Sequence, residues 1–195
     1  MPAPEPHSDW LHTDEIEDIA ASVRHALRCR DSASTDKHEW KWFALAIHSA
    51  LQGTLVAHLT TTAIPVGAVS DKCAAAWLLH YNQGGPVPQT KLLAFPDLLK
   101  KARKDGQCGG GASYPRLQIS EMERKWLTRF HDDIRNQFTH FEPMAWSLEL
   151  SGMTPLGALA ARLIEEAIQA NWAFRHAEEE TLIELRSNLK RLQNA

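Results

Sequence analysis

The chain has 195 residues, 44% of them apolar and 23% charged, which suits one buried core and lies far from the composition of a disordered chain. Its formal charge of -3 excludes a global pull toward nucleic acid, so any RNA contact must come from a local cluster of Lys and Arg. Three widely spaced cysteines, Cys29, Cys73 and Cys108, form no CxxC pair and imply reduced thiols in a cytoplasm rather than a disulfide scaffold.

Residues 1–12 open Met1-Pro2-Ala3-Pro4-Glu5-Pro6 and lack the basic and apolar regions of a signal peptide. They read as a disordered lead-in to a single domain over 13–195. From Thr13, Ile16, Ile19, Ala20, Val23, Ala26 and Leu27 recur at three- and four-residue steps, the spacing of one helix face. After a polar linker at Asp31-Ser32-Ala33-Ser34, Thr35 or Asp36 suits the N-cap of a second helix with Trp40, Phe43, Ile47, Leu51 and Leu55 as its buried stripe. His48, Gln52, Gly53 and His58 interrupt the apolar run from Phe43 to Leu59, which therefore reads as a buried helix and not a membrane span.

Pro65 and Gly67 end that segment, and Ser70 and Asp71 start a third helix through Ala74, Trp77, Leu78 and Tyr81, closed by Asn82-Gln83-Gly84-Gly85-Pro86. Leu92 to Arg103 reads as a short fourth helix. The glycine-rich stretch from Lys104 to Tyr114 reads as an exposed loop, without the Lys-Ser/Thr of a phosphate-binding loop. Ser120 and Glu123 make a capping box, and the fifth helix directs Met122, Trp126, Leu127, Phe130, Ile134 and Phe138 to the core, ending near Thr139 ahead of Pro143. Trp146 to Leu150 alternates like a brief extended piece. Thr154 then caps a last helix with Pro155 in its first position, continuing or kinking through Glu178-Glu179-Glu180 to Leu192. The pattern is all-α: a single-domain bundle of about five to seven helices.

Ten histidines invite a metal hypothesis, but there is no HExxH and no Cys/His cluster with zinc spacing, so no metal or other cofactor is expected. His38, His48 and His58 lie ten apart, about 80 degrees of rotation on an ideal helix, and do not converge. His131-Asp132-Asp133 reads as a solvated face, since adjacent helical residues point in different directions. Arg-x4-6-His is too loose to carry weight, and Arg124 with His131 satisfies it too. Arg135-Asn136 with His140 four residues beyond Asn136 is tighter, expected by chance only about 0.02 times in such a chain.

Arg135-Asn136-Gln137-Phe138-Thr139-His140 resembles the Arg-polar-x3-His signature of the HEPN superfamily, and the Phe141-Glu142-Pro143 and Trp146-Ser147-Leu148-Glu149 stretches are similar to a plasmid- and bacterium-associated subgroup. The resemblance implies a helical bundle that dimerises with two motifs facing one cleft and, in active members, cleaves RNA without metal in toxin, antiviral or stress systems. It would make Arg135, Asn136 and His140 catalytic, RNA the partner, and an antitoxin or other protein a regulator. The chemistry is consistent: the RNA 2′-hydroxyl is a built-in nucleophile, an unperturbed histidine such as His140 is a residue type suited to proton transfer near neutral pH, and the Arg135 fork suits a phosphate. Asn136 could orient the histidine or bond the phosphate.

Residues five apart on a regular helix point about 140 degrees from each other, so Arg135 and His140 cannot share a face. Either the helix ends or bends before His140, or a second subunit completes the pair. Two other readings stand beside the nuclease: a catalytically silent module binding RNA, a nucleotide or a protein, and a structural helical oligomer. In the latter Arg135 would pair with Asp132 or Glu142 and His140 would cap the last carbonyls.

Overall fold

The computed structural model describes residues 11, 13–60, 66–109, 112–140, 143 and 145–194. The expected lead-in at 1–12 lies outside them apart from Leu11, as do Pro65, Phe141 and Glu142. The described chain is helical apart from one two-stranded ribbon.

Helix α1 (Glu15–Ser32) starts where the Asp14 carboxylate accepts from the N–H groups of Ile16 and Glu17. It turns through 33–38 into α2 (Glu39–Leu59), against which it packs along its length. The cap of α2 differs from expectation: His38 holds the position without a side-chain bond, while the Asp36 carboxylate accepts from the His38 N–H. The expected stripe is buried from Phe43 on, with Trp40 half-buried against the core, and Ala44, Ala46, His48, Ala50, Thr54 and His58 are buried too, because α2 is central and is covered by α1, α4 and α7.

Helix α3 (Asp71–Gln83) is capped by Ser70 and ends at Gly84, whose φ of +75 is the left-handed conformation glycine adopts freely. Its expected stripe is not a core stripe. Only Ala74 is buried, while Tyr81 is exposed, because α3 packs mainly on the short 3-10 turn Val66–Ala68 rather than on the main core. Helix α4 (Phe95–Ala102) carries Pro96 in its first turn and buries Phe95, Leu98, Leu99 and Ala102.

The glycine-rich stretch is more ordered than a loop. Strands β1 (Gly106–Gly109) and β2 (Ala112–Tyr114) pair antiparallel, with Gly106 opposite Tyr114. A Cβ on Gly106 would fall 2.1 Å from the Tyr114 hydroxyl, so the pairing needs a residue without a side chain there. Tyr114 is itself buried, edge-on to His58.

One helical rod then runs without a break: α5 (Glu121–Arg129), a π-helical turn (Phe130–Arg135) and α6 (Asn136–His140). The capping box is present in full, Ser120 accepting from the Glu123 N–H and Glu123 from the Ser120 N–H. Leu127 and Phe130 are buried, and Trp126, Ile134 and Phe138 pack against the core. Met122 does not join them and is 81% exposed. Residues 145–150 form no strand; Leu148 and Leu150 instead rest on the core, and the Trp146 ring meets Phe138 edge-on at 5.0 Å.

Helix α7 (Met153–Gln169) begins two positions earlier than expected, with Gly152 at the N-cap and Thr154 and Pro155 already in its first turn. The final helix is two helices. Asn171, at a φ of +53, turns the chain out of α7, and α8 (Glu179–Gln193) folds back on it. Among the described residues, and counting α5 to α6 as one, seven rods make up the bundle, with a single core drawn from all of them except α3. No described helix is long and apolar enough to cross a membrane.

Candidate functional site

Arg135 closes the π turn, where the Asn136 N–H bonds the His131 carbonyl five residues back instead of four. The site is built around this irregular turn. His131 and Arg135, four residues apart, both lean toward α2, and His48 from α2 meets them. The His48 Nε2 lies 2.8 Å from the His131 Nδ1, and the two rings are near parallel with centroids 5.0 Å apart. One nitrogen donates and the other accepts, so the bond requires at least one neutral ring. Phe95 and Phe130 pack on the His48 ring, and Phe95 stacks on His131 as well.

Beside this pair is a cavity of about 410 Å3 walled by the start of α1 (Glu15, Asp18), one side of α2 (Leu45, His48, Ser49, Gln52, Gly53, Val56), Leu92, Arg135 and Thr139. Arg135 is half-buried and donates from Nη1 to the Asn136 Oδ1 at 2.9 Å. It makes no ion pair among the described residues; in particular it does not pair with Asp132. Thr139, one turn on, donates to the Arg135 carbonyl at 2.9 Å and lines the same wall.

The electrostatics of the pair follow from this packing. Burial chiefly, then His131 and the Arg135 charge, hold the His48 pKa down to about 3. His131 is lowered too, by burial first and by Arg135, against an opposing pull from Asp132. Both imidazoles are therefore neutral at pH 7. His58, the other buried histidine of α2, is lowered by burial and bonds the Pro115 carbonyl at 2.8 Å, away from this cavity.

Of the motif residues, Arg135 and Asn136 touch each other and Arg135 faces the cavity. His140 does not line it: α6 stays helical through His140, which is exposed. The bend before His140 that would unite the two side chains is not made within one chain. His48 and His131, 83 positions apart, are the site groups that sequence spacing misses. The available hint was that α2 is apolar on nearly every side, so a histidine within it has to be interior. Among the described residues, no group of three or more His, Cys, Asp or Glu side chains is placed to hold a metal ion.

No family model, no curated protein and no solved structure matches this chain.

Proposed function

We propose that the chain is an endoribonuclease that cleaves single-stranded RNA by attack of the 2′-hydroxyl on its own phosphate, without a metal. The observation that carries this reading is Arg135. A half-buried guanidinium, fixed by Asn136, facing a cavity and without a carboxylate partner among the described residues, is disposed to meet an anion from outside. A phosphate whose charge grows during in-line attack is such an anion, and the neighbouring hydroxyl removes the need to generate a nucleophile. His140 supplies a proton-transferring group at the helix end, as base or acid. Because it does not line the Arg135 cavity, a second copy of the chain completes the pair in this proposal. A toxin, defence or stress setting, with an antitoxin or similar regulator, fits a cytoplasmic enzyme of this kind.

The exposed position of His140, outside the cavity, favours one other reading, a binding module that holds RNA or another phosphate ligand at Arg135 without cleaving it. The test is incubation of purified protein with single-stranded RNA in EDTA beside Arg135→Ala and His140→Ala. Cleavage to a 2′,3′-cyclic phosphate, lost in both variants, supports the nuclease. Binding without cleavage favours the module, and undiminished cleavage by the variants removes the motif from the mechanism.

A further inference from the structure

The His48–His131 pair has a use that the Arg-Asn-x3-His pattern does not contain. His48 lines the cavity next to Arg135, and its Nε2 is taken by the His131 Nδ1. That leaves the His48 Nδ1 as the one ring nitrogen it can offer to the cavity. His131 in turn is only half-buried, and its Nε2 has no hydrogen-bond partner among the described residues. The two rings thus lie in series between the cavity and the outside of the molecule.

We propose that His48 and His131 form a two-imidazole proton relay, with His48 the acceptor of a proton from a ligand hydroxyl beside an Arg135-bound phosphate. This rests on the nuclease reading and extends it. The 2′-hydroxyl proton passes to the His48 Nδ1 while the Nε2 proton of His48 moves to the His131 Nδ1, and the Nε2 proton of His131 leaves to solvent. The 2′-oxygen forms its bond to phosphorus, the bond to the 5′-oxygen breaks, and that oxygen takes a proton from His140 of the second copy, which water then restores. Neither ring ends with an extra proton. This matters because a ring held so far toward its neutral form is a poor base alone, and passing the proton on avoids a buried imidazolium. Glu15 and Asp18 across the cavity and Asp132 beside His131 are the acidic groups nearest this path. His48 is here a catalytic residue and His131 a positioning residue.

The test joins a spectroscopic and a kinetic measurement. Nitrogen NMR of the imidazoles in the full chain should show His48 neutral, with its proton on Nε2 and Nδ1 unprotonated. His131→Gln keeps an acceptor for the His48 Nε2–H but cannot pass a proton on. It should bind 2′-O-methyl RNA as wild type does and cleave ordinary RNA about 100-fold more slowly. Cleavage by His131→Gln at the wild-type rate overturns the relay, as does a His48 proton on Nδ1. If wild type binds RNA but cleaves none, the nuclease reading falls, while the His48 tautomer still decides whether the relay is built.

Discussion

The two halves of the rod from Glu121 to His140 treat charge in opposite ways. In α5 every acid-base group near the cap is matched: Glu121 holds Arg124 and Arg103, and Glu123 holds Arg162, which also reaches Glu166. Glu121 is drawn down to about 2 by these two arginines, although it is exposed. From the π turn onward, and among the described residues, Arg135 has only a neutral amide as its side-chain hydrogen-bond partner, and His131 has only a neutral ring. Arg124 and Arg135 both begin an Arg-to-His spacing that looks suggestive in sequence. The difference teaches that the spacing is uninformative and the unfilled bonding capacity is what separates an anchor from a site.

The sharpest way to break this comparison is to exchange the roles of the two arginines. Arg135→Ala should lower RNA cleavage by about 100- to 1000-fold while leaving the melting temperature unchanged or slightly raised. Arg124→Ala should leave cleavage intact and move the melting temperature only slightly, since its ion pair is at the surface. Initial rates and thermal melts on both variants decide the matter, and equal loss of activity would erase the distinction.

The buried pair also predicts a loss of stability that begins as pH falls below about 6.5, above the range in which the lowered carboxylates of the saturated half lose theirs. Unfolded histidines titrate near 6.5, whereas folded His48 takes its proton only near 3. Between those values the unfolded chain binds more protons, so His48 contributes its full stability above about pH 6.5 and loses it as pH falls. The loss is about 1.4 kcal/mol per pH unit, or about 3 kcal/mol by pH 4.5. Urea unfolding at pH 7 and pH 4.5 should show a gap between wild type and His48→Gln that closes at the lower pH.

Smaller effects test the anchoring half. Ser120→Ala removes the reciprocal cap and should cost about 1 kcal/mol in denaturant unfolding, with RNA cleavage per folded molecule unaltered. Across the join between the halves, Asp133→Asn in the π turn removes its exposed pair with Arg129 of α5, whose atoms are 3.2 Å apart, and should move stability by no more than about 0.5 kcal/mol.

The bundle was legible because its signals are local. The Ser120 capping box, the Ser70 cap and the stripes of α1 and α2 each depend on residues within a few positions of one another. What local pattern could not carry was pairing at a distance. The glycine run closes into a ribbon because Tyr114 packs over Gly106 and against His58, and the break after α7 depends on Asn171 taking a positive φ. The candidate site divides the same way. Arg135 and Asn136 were visible as a dipeptide at a helix end, and the 140-degree argument anticipated that His140 points elsewhere. His48 and His131 were passed over because helix rotation compares residues on one helix and is silent about what a second helix brings across.

The π turn gives this arrangement its slack. Its Phe130–Arg135 span holds one residue more than an α-helical path between the same ends would need. Because the widened turn absorbs that residue, deleting one residue between Phe130 and Arg135 would close the rod into uninterrupted α-helix and leave Arg135 and everything beyond it close to its present phase. The same deletion among the regular turns of α5 would find no slack and would rotate all that follows by about 100 degrees, carrying Arg135 and Thr139 off the cavity wall. The tolerance of the rod to a one-codon deletion is thus concentrated in the turn that carries His131 and Arg135.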